Sequence, residues 1–262
     1  MRGVVDFGGT GQGIVLLHGL MGRATTWWRT ARWLTGHGHV IGLDARAHGR
    51  NPHRHGVPTE RFAQDVADRI TELDLAPAVV IGHSMGGLHA IALAAAHPEL
   101  VRGVVVEDMA PDHRGRTVDV WRPYFESWPV AFTSLAHVRE FFGPAGDYFV
   151  ECVEERADGY HLIAEVEELY GIAAEWGRRD YWDLVAKVRA PLLVIEADDG
   201  PMPPGQQAEL ATRTAGPASH VRLEGAGHVV HDTAPYRFRE AVERFLATLP
   251  GTARQDHPSG CP

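Results

Sequence analysis

Cysteine is scarce in this chain, and its scarcity limits the chemistry that the chain can support. The 262 residues include two cysteines, Cys152 and Cys261. They form no CxxC pair and no disulfide framework, so we expect a reducing compartment. The first residues, MRGVVDFGG, contain no apolar segment of the signal-peptide type. We therefore expect a cytoplasmic location.

The chain also lacks an excess of positive charge and a long hydrophobic run. Lysine and arginine together number 25, against 34 aspartates and glutamates, which gives a formal net charge of -9. Such a balance argues against nucleic acid or an anionic membrane as a partner. No apolar run approaches the length of a membrane-spanning helix. A homodimer is compatible with this composition.

Histidine is plentiful, with 16 residues, but its spacing does not indicate a metal site. Two tight groups occur, His53 with His55, and His228 with His231 and Asp232. Neither group has a thiolate or carboxylate cluster at a recognised ligand spacing. We therefore expect no metal and no organic cofactor.

Short apolar runs alternate with helical patterns along most of the chain. Runs that are apolar on both faces are typical of strands buried in a parallel sheet, and their alternation with helices predicts a doubly wound α/β fold. Before Ile14 there is room for one strand, so we predict a sheet of about seven strands. Six runs occur, at residues 14–17, 40–43, 78–81, 101–106, 191–195 and 220–223.

Residues 110–187 interrupt this alternation. They contain no strand-like apolar run, but they hold 14 of the 22 Phe, Trp and Tyr residues of the chain. Helical periodicity is visible from Cys152 to Tyr170. We interpret this region as an inserted helical cap whose aromatic residues mostly form its own core, while a minority line an apolar pocket. The expected domains are a core of residues 1–109 and 188–250, a cap of residues 110–187, and a flexible tail of residues 251–262.

One serine lies among glycines where a predicted strand gives way to a predicted helix. In the stretch VVIGHSMGG, the residues around Ser84 match the pattern G-x-S-x-G. A sharp turn would project the hydroxyl above the strand ends, and side chains at Gly82 or Gly86 would collide with the neighbouring strand and helix. The helix N-terminus favours negative charge. Ser84 is therefore our candidate nucleophile.

Three further stretches, together with this turn, resemble motifs of the α/β-hydrolase family, and of its small serine esterases in particular. The stretch LLHGLMG at residues 16–22 is similar to the family's HGxxG loop. The stretch DARAHGRN at residues 44–51 resembles its D-x-R-G-x-G-x-S turn, from which Ala47 and Asn51 depart. The stretch GAGH at residues 225–228 resembles the loop that carries the family's base. The resemblance implies a mostly parallel sheet with helices on both faces and an inserted helical cap.

The resemblance also implies a serine hydrolase that acts through an acyl-enzyme. Ser84 would attack a carbonyl carbon, and His228 would take its proton and later return it to the leaving group. His231, three residues further on, is a competitor for the role of the base. By its place after the last strand, His228 would reach over the strand ends towards the serine.

Backbone donors for the oxyanion and contacts for the substrate follow from the same resemblance. The N–H groups of Leu20 and Met85 would form the oxyanion hole, because such groups are fixed before charge develops. Met21 could replace Leu20 if the loop is shifted by one residue. Our candidates for substrate contact are Met21, Trp121 and Trp128.

The acid that would orient the base has more than one candidate. In the family it usually follows the strand after the cap, but here the stretch EADDGP places Gly200 at that position. Asp199, or Asp198, could serve if the loop is displaced. Some family members place the acid at the end of the strand before the cap, where this chain has Glu107 and Asp108. We favour Asp108, with Asp199 as the main alternative.

The expected reaction is hydrolysis of carboxylic esters with small to medium, apolar or aromatic groups. Fold and triad do not set the substrate, so hydrolysis of lactones, thioesters or carbon–carbon bonds is an alternative. A catalytically slow ligand receptor with this fold is an alternative of a different class.

Overall fold

A seven-stranded sheet organises residues 2–51 and 58–250, which are the residues described by this computed structural model. Expectations for His53, His55, Cys261 and the tail of residues 251–262 lie outside the described residues. The strands are β1 (Val4–Gly8), β2 (Gly13–Leu17), β3 (His39–Leu43), β4 (Ala78–His83), β5 (Val101–Glu107), β6 (Val153–Arg156), β7 (Gly159–Leu162), β8 (Leu192–Asp199) and β9 (Ala218–Gly227).

The main sheet has the order β1-β3-β2-β4-β5-β8-β9. Its first pair, β1 with β3, is antiparallel, and each of the other neighbouring pairs is parallel. This confirms the predicted mostly parallel sheet of seven strands. Because parallel strands end at the same edge, the residues that follow β4, β5, β8 and β9 converge there.

The helices of the described residues cover both faces of the sheet, and none has the length and apolarity needed to cross a membrane. They are α1 (Trp28–Leu34), α2 (Thr59–Glu72), α3 (Met85–Ala96), α4 (Val118–Glu126), α5 (Leu135–Phe142), α6 (Gly146–Val150), α7 (Val166–Trp176), α8 (Trp182–Val185), α9 (Gln206–Arg213), α10 (Val230–Thr233) and α11 (Pro235–Thr248).

Strand β2 shows how the sheet separates two hydrophobic cores. Val15 and Leu17 belong to the core that includes α2 and α3. Ile14 and Leu16 belong to the core that includes α1 and α11. Successive side chains of a strand point to opposite faces, so a strand covered on both sides is apolar at every position.

The segment between β5 and β8 contains helices α4 to α8 and forms a third, largely aromatic cluster. It also contains an antiparallel hairpin, β6–β7, which corrects the helical interpretation of Cys152 to Tyr170. One backbone angle and one pair of hydrogen bonds favour the hairpin. Gly159 has a φ of +139°, a conformation that side chains disfavour, and the Phe132 backbone pairs with that of Tyr160 at 2.8 and 2.9 Å. The helix begins after the hairpin, at Val166.

The turn from β4 into α3 depends on two glycines. A Cβ atom added at Gly82 would lie 2.2 Å from the carbonyl oxygen of Gly86. A Cβ atom added at Gly86 would lie 2.2 Å from the carbonyl oxygen of Leu17 on β2. Both distances are far shorter than a van der Waals contact, so the turn packs against its own helix and against the neighbouring strand. This is the steric reason that the sequence predicted.

We predict opposite stability changes for two glycine-to-alanine substitutions in helices. Gly86→Ala should lower the free energy of unfolding by about 3 kcal/mol or more, because backbone atoms cannot move aside. Gly171→Ala in α7, where nothing lies within 4 Å of an added Cβ, should raise it by about 0.5–1 kcal/mol. Urea unfolding curves measure both changes, and equal midpoints would contradict the steric account.

Candidate active site

Ser84 lies in the turn between β4 and α3 with a strained backbone. Its φ of +50° and ψ of -119° fall outside the regions that ordinary residues favour. Its N–H donates to the carbonyl oxygen of Glu107 at 2.8 Å, which ties the turn to the end of β5. The residue is followed directly by α3, so its hydroxyl lies at a helix N-terminus.

His228 follows β9 and contacts the ends of two other strands, β4 and β5. Its Nδ1 lies 2.6 Å from Oδ2 of Asp108, so the Nδ1–H group donates a hydrogen bond to the carboxylate and Nε2 is the nitrogen left free to accept a proton. Its carbonyl oxygen accepts a hydrogen bond of 3.0 Å from Nε2 of His83, the residue before Ser84. His228 is thus held from the end of β4 and from the end of β5.

Asp108 is a fully buried carboxylate at the end of β5, with a φ of +43°. Besides His228, it accepts hydrogen bonds from the N–H of Ala197 at 3.0 Å and from Nε2 of Gln207 at 2.9 Å. These donors offset the cost of burying the carboxylate. Sequence reasoning missed Gln207, because nothing in the pattern of α9 points across the sheet to residue 108.

The two aspartates after β8 do not contact the base. The Asp199 carboxylate is exposed and makes no hydrogen bond or ion pair with another described residue. Asp198 accepts the N–H of Gly225 at 3.0 Å and pairs with Arg222 at 2.7 Å. Of the candidate acids, Asp108 is the one that reaches His228.

Gly200 stands where the resemblance places an aspartate, and its surroundings explain the difference. A Cβ atom added at Gly200 would lie 2.4 Å from Oδ2 of Asp108. The Asp108 carboxylate therefore fills the space into which a side chain at position 200 would point. The absence of a side chain at one strand end accommodates the carboxylate from another.

His231, the predicted competitor, has its own carboxylate. Its backbone N–H and its Nδ1 lie 2.9 and 2.8 Å from Oε1 of Glu107, and both residues are buried. Burial alone would lower the pKa of His231, but the Glu107 carboxylate overrides burial and raises it. The His231 side chain is 1% exposed, whereas the His228 side chain is 30% exposed and is accessible from outside the core, so His228 fits the role of the base better.

Two histidines hold the loop that would supply the first oxyanion donor. His18 donates from Nδ1 to the Gly19 carbonyl at 2.8 Å and accepts the N–H of Ala45 at Nε2 at 3.0 Å. The N–H of Met21 donates to Nε2 of His48 at 3.2 Å. That N–H is therefore occupied, and sequence reasoning missed His48 as its partner.

The N–H groups of Leu20 and Met85 remain the candidates for the oxyanion hole. Neither donates to another described residue. The loop lies against the nucleophile, since a Cβ atom added at Gly19 would be 3.3 Å from Cβ of Ser84. Both N–H groups thus belong to segments that flank the hydroxyl.

The aromatic cluster of the segment between β5 and β8 packs against the loops that carry Leu20 and His228. Leu20 and Met21 pack against it, and Val229, which follows the base, belongs to it. Trp121 packs against both this cluster and the sheet, with its ring 5.9 Å from that of Trp176. The predicted contacts of these side chains with a substrate stay predictions.

Trp128 lies inside the core of the inserted segment. Five aromatic rings lie within 6.5 Å of its ring, centroid to centroid, and they belong to Tyr124, Phe125, Phe141, Phe142 and Phe149. The residue is 8% exposed. Its role in binding substrate stays a prediction, whereas its packing among these five rings is observed.

At the ends of β5 and β9, two buried carboxylates each pair with a different histidine. Asp108 pairs with His228, and Glu107 pairs with His231. No group of three or more His, Cys, Asp or Glu side chains that could hold a metal ion occurs in residues 2–51 and 58–250.

Along most of its length the chain is similar to known hydrolases. Residues 14–241 match the alpha/beta hydrolase family. The sn-1-specific diacylglycerol lipase ABHD11 of Mus musculus is 27% identical, covering 93% of this chain and 84% of its own. Esterase YbfF of Escherichia coli (strain K12) is 27% identical, covering 89% and 92%. The structure of the enol-lactonase from Burkholderia xenovorans LB400 is 26% identical, with a TM-score of 0.75 and coverage of 93% and 95%.

We predict unequal effects for two aspartate-to-asparagine substitutions. Asp108→Asn should lower kcat by about 10⁴-fold, because asparagine favours the wrong histidine tautomer, as in other triads. Asp199→Asn should leave kcat nearly unchanged, because Asp199 does not reach the base. Steady-state kinetics on an activated ester, with circular dichroism to verify folding, measure both. The reverse ranking would assign the acid to the loop after β8.

We predict that acid destabilises the fold partly through His113. Burial lowers the pKa of His113 to about 4 from an ordinary 6.5. Between these pH values the unfolded chain binds a proton that the native chain does not, so stability is full above pH 6.5 and falls as the pH falls. The loss at pH 4 is on the order of 3 kcal/mol. His113→Asn should flatten the pH dependence of urea unfolding between these pH values, and an unchanged pH dependence would contradict this prediction.

Proposed function

The chain belongs to the alpha/beta hydrolase family, and from this premise we propose that it is a serine hydrolase that cleaves carboxylic esters. The observation that carries the proposal is the hydrogen bond of 2.6 Å between His228 and the buried Asp108, beside the strained turn of Ser84. Its relatives include a lipase, an esterase and a lactonase, all of them hydrolases.

The acylation step begins with proton transfer from Ser84 to Nε2 of His228 as the serine oxygen attacks the substrate carbonyl carbon. Asp108 keeps the Nδ1 proton in place and stabilises the imidazolium that forms. The N–H groups of Leu20 and Met85 stabilise the oxyanion. The tetrahedral intermediate then collapses, the carbon–oxygen bond to the alcohol breaks, and the imidazolium protonates the departing oxygen.

The deacylation step repeats this sequence with water. His228 takes a proton from water as the hydroxide oxygen bonds to the acyl carbon, and the bond to Ser84 then breaks. The imidazolium returns its proton to the serine oxygen, which restores the enzyme and releases a carboxylic acid. No redox partner enters this balance.

The substrates that this site favours carry small to medium, apolar or aromatic groups. Support comes from the aromatic cluster of the inserted segment, which packs on Leu20 and Met21 next to the candidate oxyanion donor and includes Val229 next to the base. A substrate group beside the reacting carbonyl would therefore meet apolar side chains, and the gain comes from removing its apolar area from water.

Lactone hydrolysis is the second candidate, and the similarity to the enol-lactonase favours it. The same attack on a cyclic ester opens the ring, and the alcohol stays attached to the acyl product until water releases both. Thioesters and carbon–carbon bonds are further substrates for the same chemistry. The presence of Ser84, His228 and Asp108 together disfavours the alternative of a catalytically slow receptor with this fold.

We predict that a fluorophosphonate probe labels the native protein on Ser84 and that nitrophenyl esters are hydrolysed. From acetate to hexanoate, kcat/KM should rise by up to about fourfold per methylene, since each buried methylene contributes about 0.8 kcal/mol. Ser84→Ala should abolish labelling and turnover, while the exposed Ser219→Ala should change neither. Folded native protein without an adduct would favour the receptor, and turnover of lactones alone would favour the second candidate.

A further inference from the structure

The residues that immediately precede the nucleophile and the acid are neighbours in the sheet. His83 of β4 and Glu107 of β5 are register partners, and Ser84 and Asp108 follow them. The N–H of Ser84 donates to the carbonyl of Glu107, so the two strand ends are joined where the chemistry begins. The side chains of His83 and Glu107 then turn towards the loop that carries the base.

Each of these two side chains binds the backbone of the base loop. Nε2 of His83 donates to the carbonyl oxygen of His228 at 3.0 Å. Oε1 of Glu107 accepts the N–H of His231 at 2.9 Å. The backbone is therefore held on both sides of residues 229 and 230, by contacts separate from the hydrogen bond between His228 and Asp108.

The His231 ring strengthens the Glu107 contact. Its Nδ1 lies 2.8 Å from each carboxylate oxygen, and the ring stacks on Trp27 with centroids 4.1 Å apart. The His83 ring packs edge-on against it at 5.4 Å. Both Glu107 and His231 are buried and packed, so the Glu107 side chain spans a fixed distance from β5 to the loop.

The base loop has local hydrogen bonds, in which the Thr233 hydroxyl joins Gly227 and Val229, but these bonds lie within the loop and do not tie it to β4 or β5. Helix α10, which begins two residues after His228, has four residues and cannot be stable by itself. The His228 side chain is 30% exposed, in contrast to the fully buried Asp108. A single hydrogen bond at Nδ1 sets the tautomer, but it does not fix the distance of the ring from the serine.

We propose that Glu107 and His231 are positioning residues for the base: the reach of the Glu107 side chain sets where the backbone after His228 lies. This inference rests on the proposed function, since it takes His228 as the base. Neither residue touches the substrate. A displacement of about 1 Å in a catalytic group can cost roughly 100-fold in rate, so a fixed anchor has a kinetic effect.

Two substitutions of Glu107 separate its reach from its charge. Glu107→Asp keeps the charge and shortens the side chain by one methylene, whereas Glu107→Gln keeps the length and an oxygen acceptor for the N–H of His231. We expect Glu107→Asp to lower kcat roughly 10- to 100-fold with little change in KM. We expect Glu107→Gln to stay close to the native kcat. Both values are normalised to the serine titrated by fluorophosphonate, so unfolded molecules do not count.

The matched control is Glu196→Asp. Glu196 forms a carboxylate–histidine contact of 2.7 Å with His220, between β8 and β9 and away from the base. This variant should leave kcat and KM unchanged. Proton NMR supplies a second measurement: the resonance of the Nδ1 proton between His228 and Asp108 should shift or broaden in Glu107→Asp and stay in place in the Glu196 variant.

Three results would overturn the proposal. They are a native kcat and resonance in Glu107→Asp, a larger loss in Glu107→Gln than in Glu107→Asp, and a rise in KM without a fall in kcat. If the native protein hydrolyses no ester, the proposed function fails instead. The rate of phosphonylation at Ser84 and the NMR resonance then still test whether Glu107 positions the base.

Discussion

The hydrogen bond between Asp108 and His228 connects the middle of the sheet to its edge, and the rest of the site is arranged around it. Asp108 ends β5 and His228 follows β9, so the contact crosses the end of the intervening strand β8. That crossing requires a carboxylate buried among donors and a small residue in the loop below it. Ala197 and Gln207 satisfy the first requirement, and Gly200 satisfies the second.

The opposite partner of the base is placed by backbone geometry. Ser84 sits at a positive φ because β4 must turn sharply into α3, and the N–H of Ser84 is tied to the end of β5. Ser84 and Asp108 therefore follow adjacent strands that hydrogen-bond directly to each other. His228 follows a more distant strand, and contacts from His83 and Glu107 hold the loop that carries it.

Local patterns in the sequence predicted what depends on near neighbours. Six apolar runs predicted six strands of the main sheet, the room before Ile14 predicted the seventh, and the glycines around Ser84 predicted the steric constraints of its turn. The choice between Asp108 and Asp199 depended on distances across β8, which no spacing along the chain encodes. For the same reason Gln207, which is remote in sequence from residue 108, gave no signal.

The sequence did not predict the hairpin β6–β7, for a related reason. Its second strand is held by the distant Phe132 backbone, and this contact outweighs the helical periodicity of the residues between Cys152 and Tyr170. The turn before Gly159 is a local signal, but it competes with an amphipathic pattern of similar strength.

A carboxylate beside His228 could come from position 108 or from position 200, and Gly200 and Asp108 together allow only the first. A carboxylate at position 200 would collide with the one at position 108 and would add a second negative charge beside it. Loss of Asp108 while Gly200 is retained would leave the histidine without an acid. Either single change therefore crowds or removes the carboxylate beside His228. The two positions are therefore mutually exclusive for a carboxylate, because each needs the space that the other would fill.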